Sequence, residues 1–298
     1  MKKLQVWISA CRLRTLPLSI SGAIVGSGVA YSMGLFNLTI FVLTILSTLS
    51  LQILSNLAND YGDGVKGTDN QNRIGPERAL QSGVISPKQM KNAITINVII
   101  CFFLVVALIY KAFGIDKFLT SLVFIALGVI AIISAIKYTV GTSAYGYKAL
   151  GDVVVFLFFG WLSVLGTYFL YSNQINFSMF LPASSIGLLS AAVLNLNNMR
   201  DFESDKLSNK HTLAGLLGIN NSRYYHLALI LIAMLLMLLY FGLSSEYLLM
   251  MIGFIPLFIH MFIFYKVQTP KNYDPQLKVL ALSTFLVALI FGAIHVLI

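Results

Sequence analysis

Charge is what this chain has least of. Asp, Glu, Lys and Arg make up 10% of its 298 residues, against 58% hydrophobic residues and a mean hydropathy of +0.84. So little charge excludes an ordinary soluble globule. Cysteine is scarce too. Cys11 and Cys101 are the only two, and without a CxxC spacing they predict neither a disulfide nor a thiolate metal site. The four histidines have no mutual spacing, which disfavours zinc. Alternating apolar and polar strands of about 10 residues are absent, which disfavours a β-barrel. No soluble basic face accompanies the net charge of +9, so a nucleic-acid reading has no support.

Long uncharged windows fill the chain instead: 15–35, 38–59, 92–110, 118–136, 153–171, 175–199, 224–242, 247–265 and 279–298. Each is close to the roughly 20 residues a helix needs to cross the hydrocarbon layer. They predict an all-α polytopic membrane protein, a bundle of nine transmembrane helices around a central cavity open to the cytoplasmic side and to lipid. Threading nine spans from a cytoplasmic N-terminus puts eighteen of the twenty Lys and Arg inside and only Lys111 and Lys117 outside. That is the positive-inside pattern, and it leaves the C-terminus on the outer side. Lys2-Lys3 resembles the start of a signal peptide, but the span that follows is full length and lacks a clear cleavage site, so it reads as a retained helix. The expectation is one membrane-embedded domain over 1–298, with cytoplasmic cap loops at about 60–91, 137–152 and 200–223. Small residues crowd the first span (Gly22, Ala23, Gly26, Ser27, Gly28 and Ala30), as close helix packing in lipid requires.

Acids are rarer than bases, and they are not spread evenly. Of eleven Asp and Glu, six fall within 60–69 and 201–205, each time at the inner end of an even-numbered span. Carboxylates at a membrane edge are costly to desolvate and mark ion or substrate sites. On a continuing helix Asn56, Asp60 and Asp63 are spaced i, i+4, i+7, and Asn198, Asp201 and Asp205 are spaced i, i+3, i+7, so each set shares a face. Like charges on one face repel, and a divalent cation resolves that repulsion. Mg²⁺ suits the set, because it commonly takes one or two carboxylates and completes its shell with water and phosphate oxygens. Two such half-sites facing each other would clasp one polyphosphate. The bland reading, acids that merely pair with Arg200, Lys206 or Lys66, accounts less well for two matched clusters than for one. Lys66, Arg73, Arg78, Lys137, Lys148 and Arg200 supply positive charge for a diphosphate, and Tyr138 with Lys137 is placed to line a polar mouth. The Asn-Leu-x-Asn pattern occurs at 56–59 and again at 195–198, a faint internal repeat.

Asn59-Asp60-x-x-Asp63 and Asp201-x-x-x-Asp205 resemble the two aspartate motifs of the UbiA-like superfamily of intramembrane prenyltransferases, and the resemblance runs over essentially the whole chain. Within it, NLANDYGDGVKGTD (56–69), RIGPERALQSG (73–83), YTVGTSAYGYKALGD (138–152), NLNNMRDFESDK (195–206) and the entry Arg12-Leu13-Arg14-Thr15-Leu16-Pro17 are most similar to the branch that prenylates 1,4-dihydroxy-2-naphthoate in menaquinone synthesis. Gly67 stands where the superfamily places a third aspartate, and Asp69 follows instead, a shift similar to that of the naphthoate branch. The resemblance implies Mg²⁺ held by Asp60, Asp63, Asp201 and Asp205 with Asn56, and a polyprenyl diphosphate held by Arg14, Lys66, Arg73, Arg78, Lys137, Tyr138, Lys148 and Arg200. Asn59, Asp69 and Asn198 would be accessory. It implies alkylation of the naphthoate with loss of carbon dioxide, in a bacterial cytoplasmic membrane. Two other readings stand beside it: a sister enzyme using 4-hydroxybenzoate or a tetrapyrrole alcohol, and a secondary transporter. A transporter places its coupling acids near the midplane, in broken helices, whereas these acids sit at span ends.

Overall fold

The computed structural model describes residues 3–69, 74–242, 246–267 and 269–297. Among them it contains helices and turns and no strand. Among the described residues, nine helices are long and apolar enough to cross a membrane: α1 Lys3–Ser32, α2 Leu38–Val65, α3 Pro87–Phe113, α4 Phe118–Lys137, α5 Gly151–Ser172, α6 Phe177–Arg200, α7 Leu213–Phe241, α8 Glu246–Lys266 and α9 Pro270–Leu297. The protein is a multi-pass membrane protein. Its outward side chains are those of a lipid-facing surface, with Leu119 76% and Phe262 64% exposed, as expected of helices that are apolar all round.

Local chemistry sets where several helices begin. Asn37 caps α2, its side-chain oxygen accepting from the Thr39 and Ile40 amides and so satisfying donors the helix itself cannot. A capping box of Ser86 and Gln89, with Pro87 in the first turn, starts α3. α1 is bent: after Ala10 the backbone turns left-handed at Arg12 (φ 50°) and re-enters a helix at Leu16. In α5 the stretch Phe156–Gly166 is wound as a π-helix, a form found mostly at functional sites.

The packing forms two apolar bodies. One combines buried residues of α1 and α5 to α9 with the outer part of α3, and the second gathers Val6, Ala10, Leu54, Leu57, Met90 and Ile132 from the first four helices. The small residues of α1 serve close contact as expected. A Cβ on Gly28 would lie 2.9 Å from the Gly292 Cα of α9. α4 packs on α2 and α3 and meets α5 chiefly where Phe124 stacks on Phe169, with little other close approach between the two among the described residues, leaving the rest of that side of the bundle open.

Three boundaries differ from those read off hydropathy, and all three matter for the site. α2 continues to Val65 rather than stopping at 59, so Asp60 and Asp63 lie on the helix itself. The loop 200–223 is mostly helical, with a short helix Phe202–Leu207 and an early start to α7 that is interrupted at Gly218 (φ 76°). α9 is helical from Tyr273, which places Asp274 in its first turn. Hydropathy finds where apolar windows end, whereas helices run on through polar residues until a cap or a glycine stops them.

Candidate active site

α2 and α6 run in the same direction, so their acid-bearing C-terminal ends meet at one end of the bundle. Between them opens a cavity of about 390 Å³, within the size range of small-molecule sites. Asp63, Asp69, Asp201, Asp205, Lys210, Arg14 and Arg78 line its polar end, and Leu108, Ile109, Phe124 and Leu170 its apolar end. Both Asp63 and Thr44 of α2 line it, nineteen residues apart, so it extends roughly 28 Å along the helix at 1.5 Å per residue. Phe124 lies at the apolar end, stacked on Phe169 and edge-on to Phe113.

One lysine joins the two acid segments. The Lys210 ammonium is 3.6 Å from Asp63 Oδ2 and 3.6 Å from Asp205 Oδ1. Burial alone would lower the Lys210 pKa, but the two carboxylates outweigh it and hold the group above the lysine range. Burial also pushes the Asp205 carboxyl up to about 7; Lys210 pulls it down, and Asp201 and Asp63 add to the rise. Asp63 Oδ1 accepts from the Tyr147 hydroxyl at 2.7 Å. Burial and then that carboxylate push the tyrosine pKa upward, so Tyr147 remains a neutral donor.

Asp201 is held differently. Arg200 Nε donates to Asp201 Oδ1 at 2.8 Å and Nη2 to Oδ2 at 2.6 Å, while Nη1 donates to Asp274 Oδ1 at 2.6 Å and Nη2 also reaches Asn197 Oδ1. Arg14 Nη1 donates to the other oxygen of Asp274 at 3.3 Å. Arg200 is 1% exposed and is not part of the cavity wall. The expectation that it contacts diphosphate is therefore corrected: its donors are engaged by two carboxylates and an amide, and it is a clamp on Asp201.

The loops close around these side chains. Lys66 donates to Thr139 O at 2.8 Å and lies over the Tyr147 ring at 3.9 Å. Ala149 N donates to His211 O at 2.8 Å, and the Thr139 hydroxyl donates to Ala58 O at 3.0 Å. Gly62 permits this approach, since a Cβ there would lie 2.6 Å from Thr139 Oγ1 and 2.8 Å from the Thr139 carbonyl carbon.

Of the residues expected from sequence, Arg14, Asn56, Asn59, Asp63, Asp69, Arg78, Tyr138, Asp201 and Asp205 line the cavity. Burial pushes the Tyr138 hydroxyl up to about 12. Asp60 does not line it. It borders a smaller adjoining pocket with Arg12, Arg14 and Arg78, where Oδ2 accepts from the Ala79 amide at 3.1 Å and Oδ1 lies 3.8 Å from Arg78 Nε. Lys66, Lys137, Lys148 and Asn198 stay off the cavity wall, and Lys66 is used to fasten a loop. Arg73 lies outside the described residues. Asn56 Nδ2 donates to Cys11 O at 2.9 Å and its oxygen accepts from Gln52, which ties α2 to the elbow of α1. Sequence reasoning missed Lys210, Asp274 and Tyr147. Asp274 had a signal, as one of only eleven acids and placed just before the last span at the same end.

Among the described residues no three acidic, His or Cys side chains converge closely enough to cage a metal on their own. The donor set nonetheless fits a hard cation that shares its shell with phosphate. Every carboxylate donor is oxygen, no thiol or imidazole lines the cavity, and buried Asp60 Oδ1 and Asp205 Oδ2 have no hydrogen-bond partner.

The profile of the UbiA prenyltransferase family matches residues 19–290. The chain is 44% identical over 227 residues to 1,4-dihydroxy-2-naphthoate octaprenyltransferase of Escherichia coli (76% of this chain, 73% of the relative). It is 39% identical over 297 residues to the protein of that name from Haemophilus influenzae (98% and 96%). In fold it is similar to a UbiA homologue from Archaeoglobus fulgidus solved bound to GPP and Mg²⁺, with a TM-score of 0.62 and 17% identity over 97% of this chain and 100% of that one.

Proposed function

Because the chain belongs to the UbiA prenyltransferase family, we propose that it transfers a polyprenyl group from polyprenyl diphosphate to 1,4-dihydroxy-2-naphthoate, the acceptor named for its relatives. What carries the reading is the meeting of both acid segments on Lys210, at the head of a cavity that turns apolar along its length. A charged head and a long hydrocarbon tail need that combination.

Asp63, Asp201 and Asp205 on the cavity wall would hold Mg²⁺, with Asp60 contributing from the adjoining pocket and Asn56 from the wall. When bound, Mg²⁺ supplies neutralising charge to the leaving diphosphate. Arg14, Arg78 and Tyr138 donate to phosphate oxygens from the cavity wall and orient the head group. The allylic C–O bond breaks and its electron pair leaves with diphosphate. The ring carbon bearing the carboxylate attacks the allylic carbon, and loss of carbon dioxide returns an electron pair to the ring, giving the quinol form of demethylmenaquinone. Arg200 holds Asp201 in place throughout, while Phe158, Phe159 and Leu162 of the π-wound segment keep water from the cationic carbon. A cavity of about 390 Å³ encloses only the first part of a long prenyl tail, and the remainder passes into lipid beside the Phe124–Phe169 stack, where α4 and α5 otherwise stay apart. The basic residues put the acid end at the cytoplasmic side and the C-terminus opposite, in a bacterial cytoplasmic membrane, with the whole chain forming one domain.

Purified protein given 1,4-dihydroxy-2-naphthoate, a long prenyl diphosphate and Mg²⁺ should release diphosphate and carbon dioxide. Turnover with 4-hydroxybenzoate and none with the naphthoate would move the chain to a sister activity. Asp60→Asn and Asp201→Asn should each nearly abolish turnover while inserting normally in the membrane.

A further inference from the structure

Lys210 is the cation that both acid segments share, yet nothing in its geometry is a tight ion pair. Its ammonium stands 3.6 Å from one oxygen of Asp63 and 3.6 Å from one of Asp205, longer than a charge-assisted hydrogen bond. Asp205 Oδ2 is buried and unpartnered. One positive charge therefore serves two carboxylates and leaves acceptor capacity unused. The backbone beneath it is fixed: Lys210 N donates to Asp205 O at 2.9 Å, and its neighbour His211 accepts from Ala149. The mobile part is the four-carbon stem, which can move its head group without moving the loop. A second lysine of these caps, Lys66, is tied to Thr139 O.

We propose that Lys210 is an exchangeable internal cation: its ammonium bridges Asp63 and Asp205, yields those oxygens to the divalent cation, and moves onto a phosphate oxygen of the diphosphate head. The inference rests on the reading that the acid end takes a metal diphosphate. A divalent ion and an ammonium repel at contact distance, so they cannot share the same two oxygens. Displaced from the acids, the ammonium remains at the cavity wall, where a bound diphosphate offers it a new anionic partner. Lys210 is thus a positioning residue for the metal and a binding residue for the diphosphate.

The two roles have opposite signs, and this makes them testable apart from activity. Calorimetry on the purified full chain would measure Mg²⁺ alone, then inorganic diphosphate at saturating Mg²⁺, for wild type, Lys210→Met, Lys210→Gln and Lys210→Arg. Removing the competing charge should tighten Mg²⁺ by roughly tenfold in the Met and Gln variants and weaken diphosphate by a similar factor. Lys210→Arg should stay near wild type for both. A merely structural lysine would weaken both ligands together, and that result, or unchanged Mg²⁺ affinity, overturns the proposal. So does failure of both neutral variants to accumulate as folded protein, since the ammonium would then be a determinant of the fold. Wild type binding neither ligand would instead refute the functional reading on which the proposal rests.

Discussion

Arg200 offers the sharpest test of how the acid end is built. Its side chain is fully enclosed and bonded to Asp201, which is 10% exposed in its side chain, and to Asp274, which is 30% exposed. Replacing Arg200 by Met keeps the volume approximately and removes the charge. Asp201 then loses both partners of a two-point contact and becomes a buried carboxylate beside Asp205. Breaking such a pair costs about 3–5 kcal/mol, most of it the desolvation of the stranded charge. Asp274→Asn should cost only about 1 kcal/mol, because solvent screens Asp274 and Asn keeps an acceptor. The double variant Arg200→Met, Asp201→Asn removes the stranded charge and should recover about 2 kcal/mol of the loss. Thermal unfolding in detergent reads these differences, on the order of 10 °C for Arg200→Met. An Arg200→Met protein within about 1 kcal/mol of wild type would refute the clamp, as would strict additivity of the double variant. Diphosphate affinity at saturating Mg²⁺ gives a second check: a direct phosphate ligand would keep most of its affinity in Arg200→Lys, which retains the charge, whereas a clamp loses its two-point hold on Asp201 and should weaken binding in that variant too.

Three further outcomes follow from particular contacts. Gly62→Ala forces a methyl group into Thr139; activity should fall at least tenfold while the spans still insert, as read by turnover and protease protection. His260→Leu removes the middle of a buried chain in which His226 Nε2 and His260 Nε2 are 2.9 Å apart and His260 Nδ1 meets Gln276 Oε1 at 2.9 Å, and it should cost about 1–3 kcal/mol of stability for the stranded partners with the acceptor KM unchanged. In chelator, stability should fall as pH rises from about 4 towards 7. Burial pushes the Asp205 carboxyl up to about 7 from its ordinary 3.8, so the folded protein binds more protons across that window, and the slope from this group reaches about 1.4 kcal/mol per pH unit. Asp205→Asn should flatten it, and an unaltered slope would show that another group titrates.

The apolar windows were enough to find nine helices, because crossing a bilayer leaves a length and composition requirement that survives any detail of packing. The acids were legible for a related reason: few carboxylates are tolerated at a membrane edge, so Asp63, Asp201 and Asp205 stand out against so apolar a background. The basic residues were legible only in part: Arg14 and Arg78 line the cavity as expected, and the other described candidates do not. Lys66, Lys137, Lys148 and Arg200 obey the positive-inside rule whether or not they touch substrate, and the rule says nothing about which way a side chain turns. Asp60 shows the limit of face arithmetic. It shares a helical face with Asn56 and Asp63 by spacing, yet the loop at Ala79 covers it and gives it a different pocket. Lys210 and Tyr147 lie in cap segments whose docking depends on contacts more than sixty residues apart in sequence, which no local pattern contains.

The Asn-Leu-x-Asn repeat acquires a physical meaning once its first residues are compared. Asn56 Nδ2 donates to Cys11 O at the elbow of α1, and Asn195 Nδ2 donates to Ser222 O just beyond the break in α7. Each asparagine donates to a backbone carbonyl next to the bend or break of a neighbouring helix. Asn56 does so four residues before Asp60 and Asn195 six residues before Asp201. The repeat is thus a pair of braces holding an irregular neighbouring helix against the end of α2 or α6. It marks where the bundle must be irregular to admit a charged head group. The carboxylates that follow are shifted by two positions because their surroundings differ: on α2 a tyrosine and a lysine engage Asp63, and on α6 a buried arginine engages Asp201. Equal bracing with unequal acid environments means the two halves are not interchangeable, and exchanging the braces for leucine should loosen the acid site from either side without altering its charge.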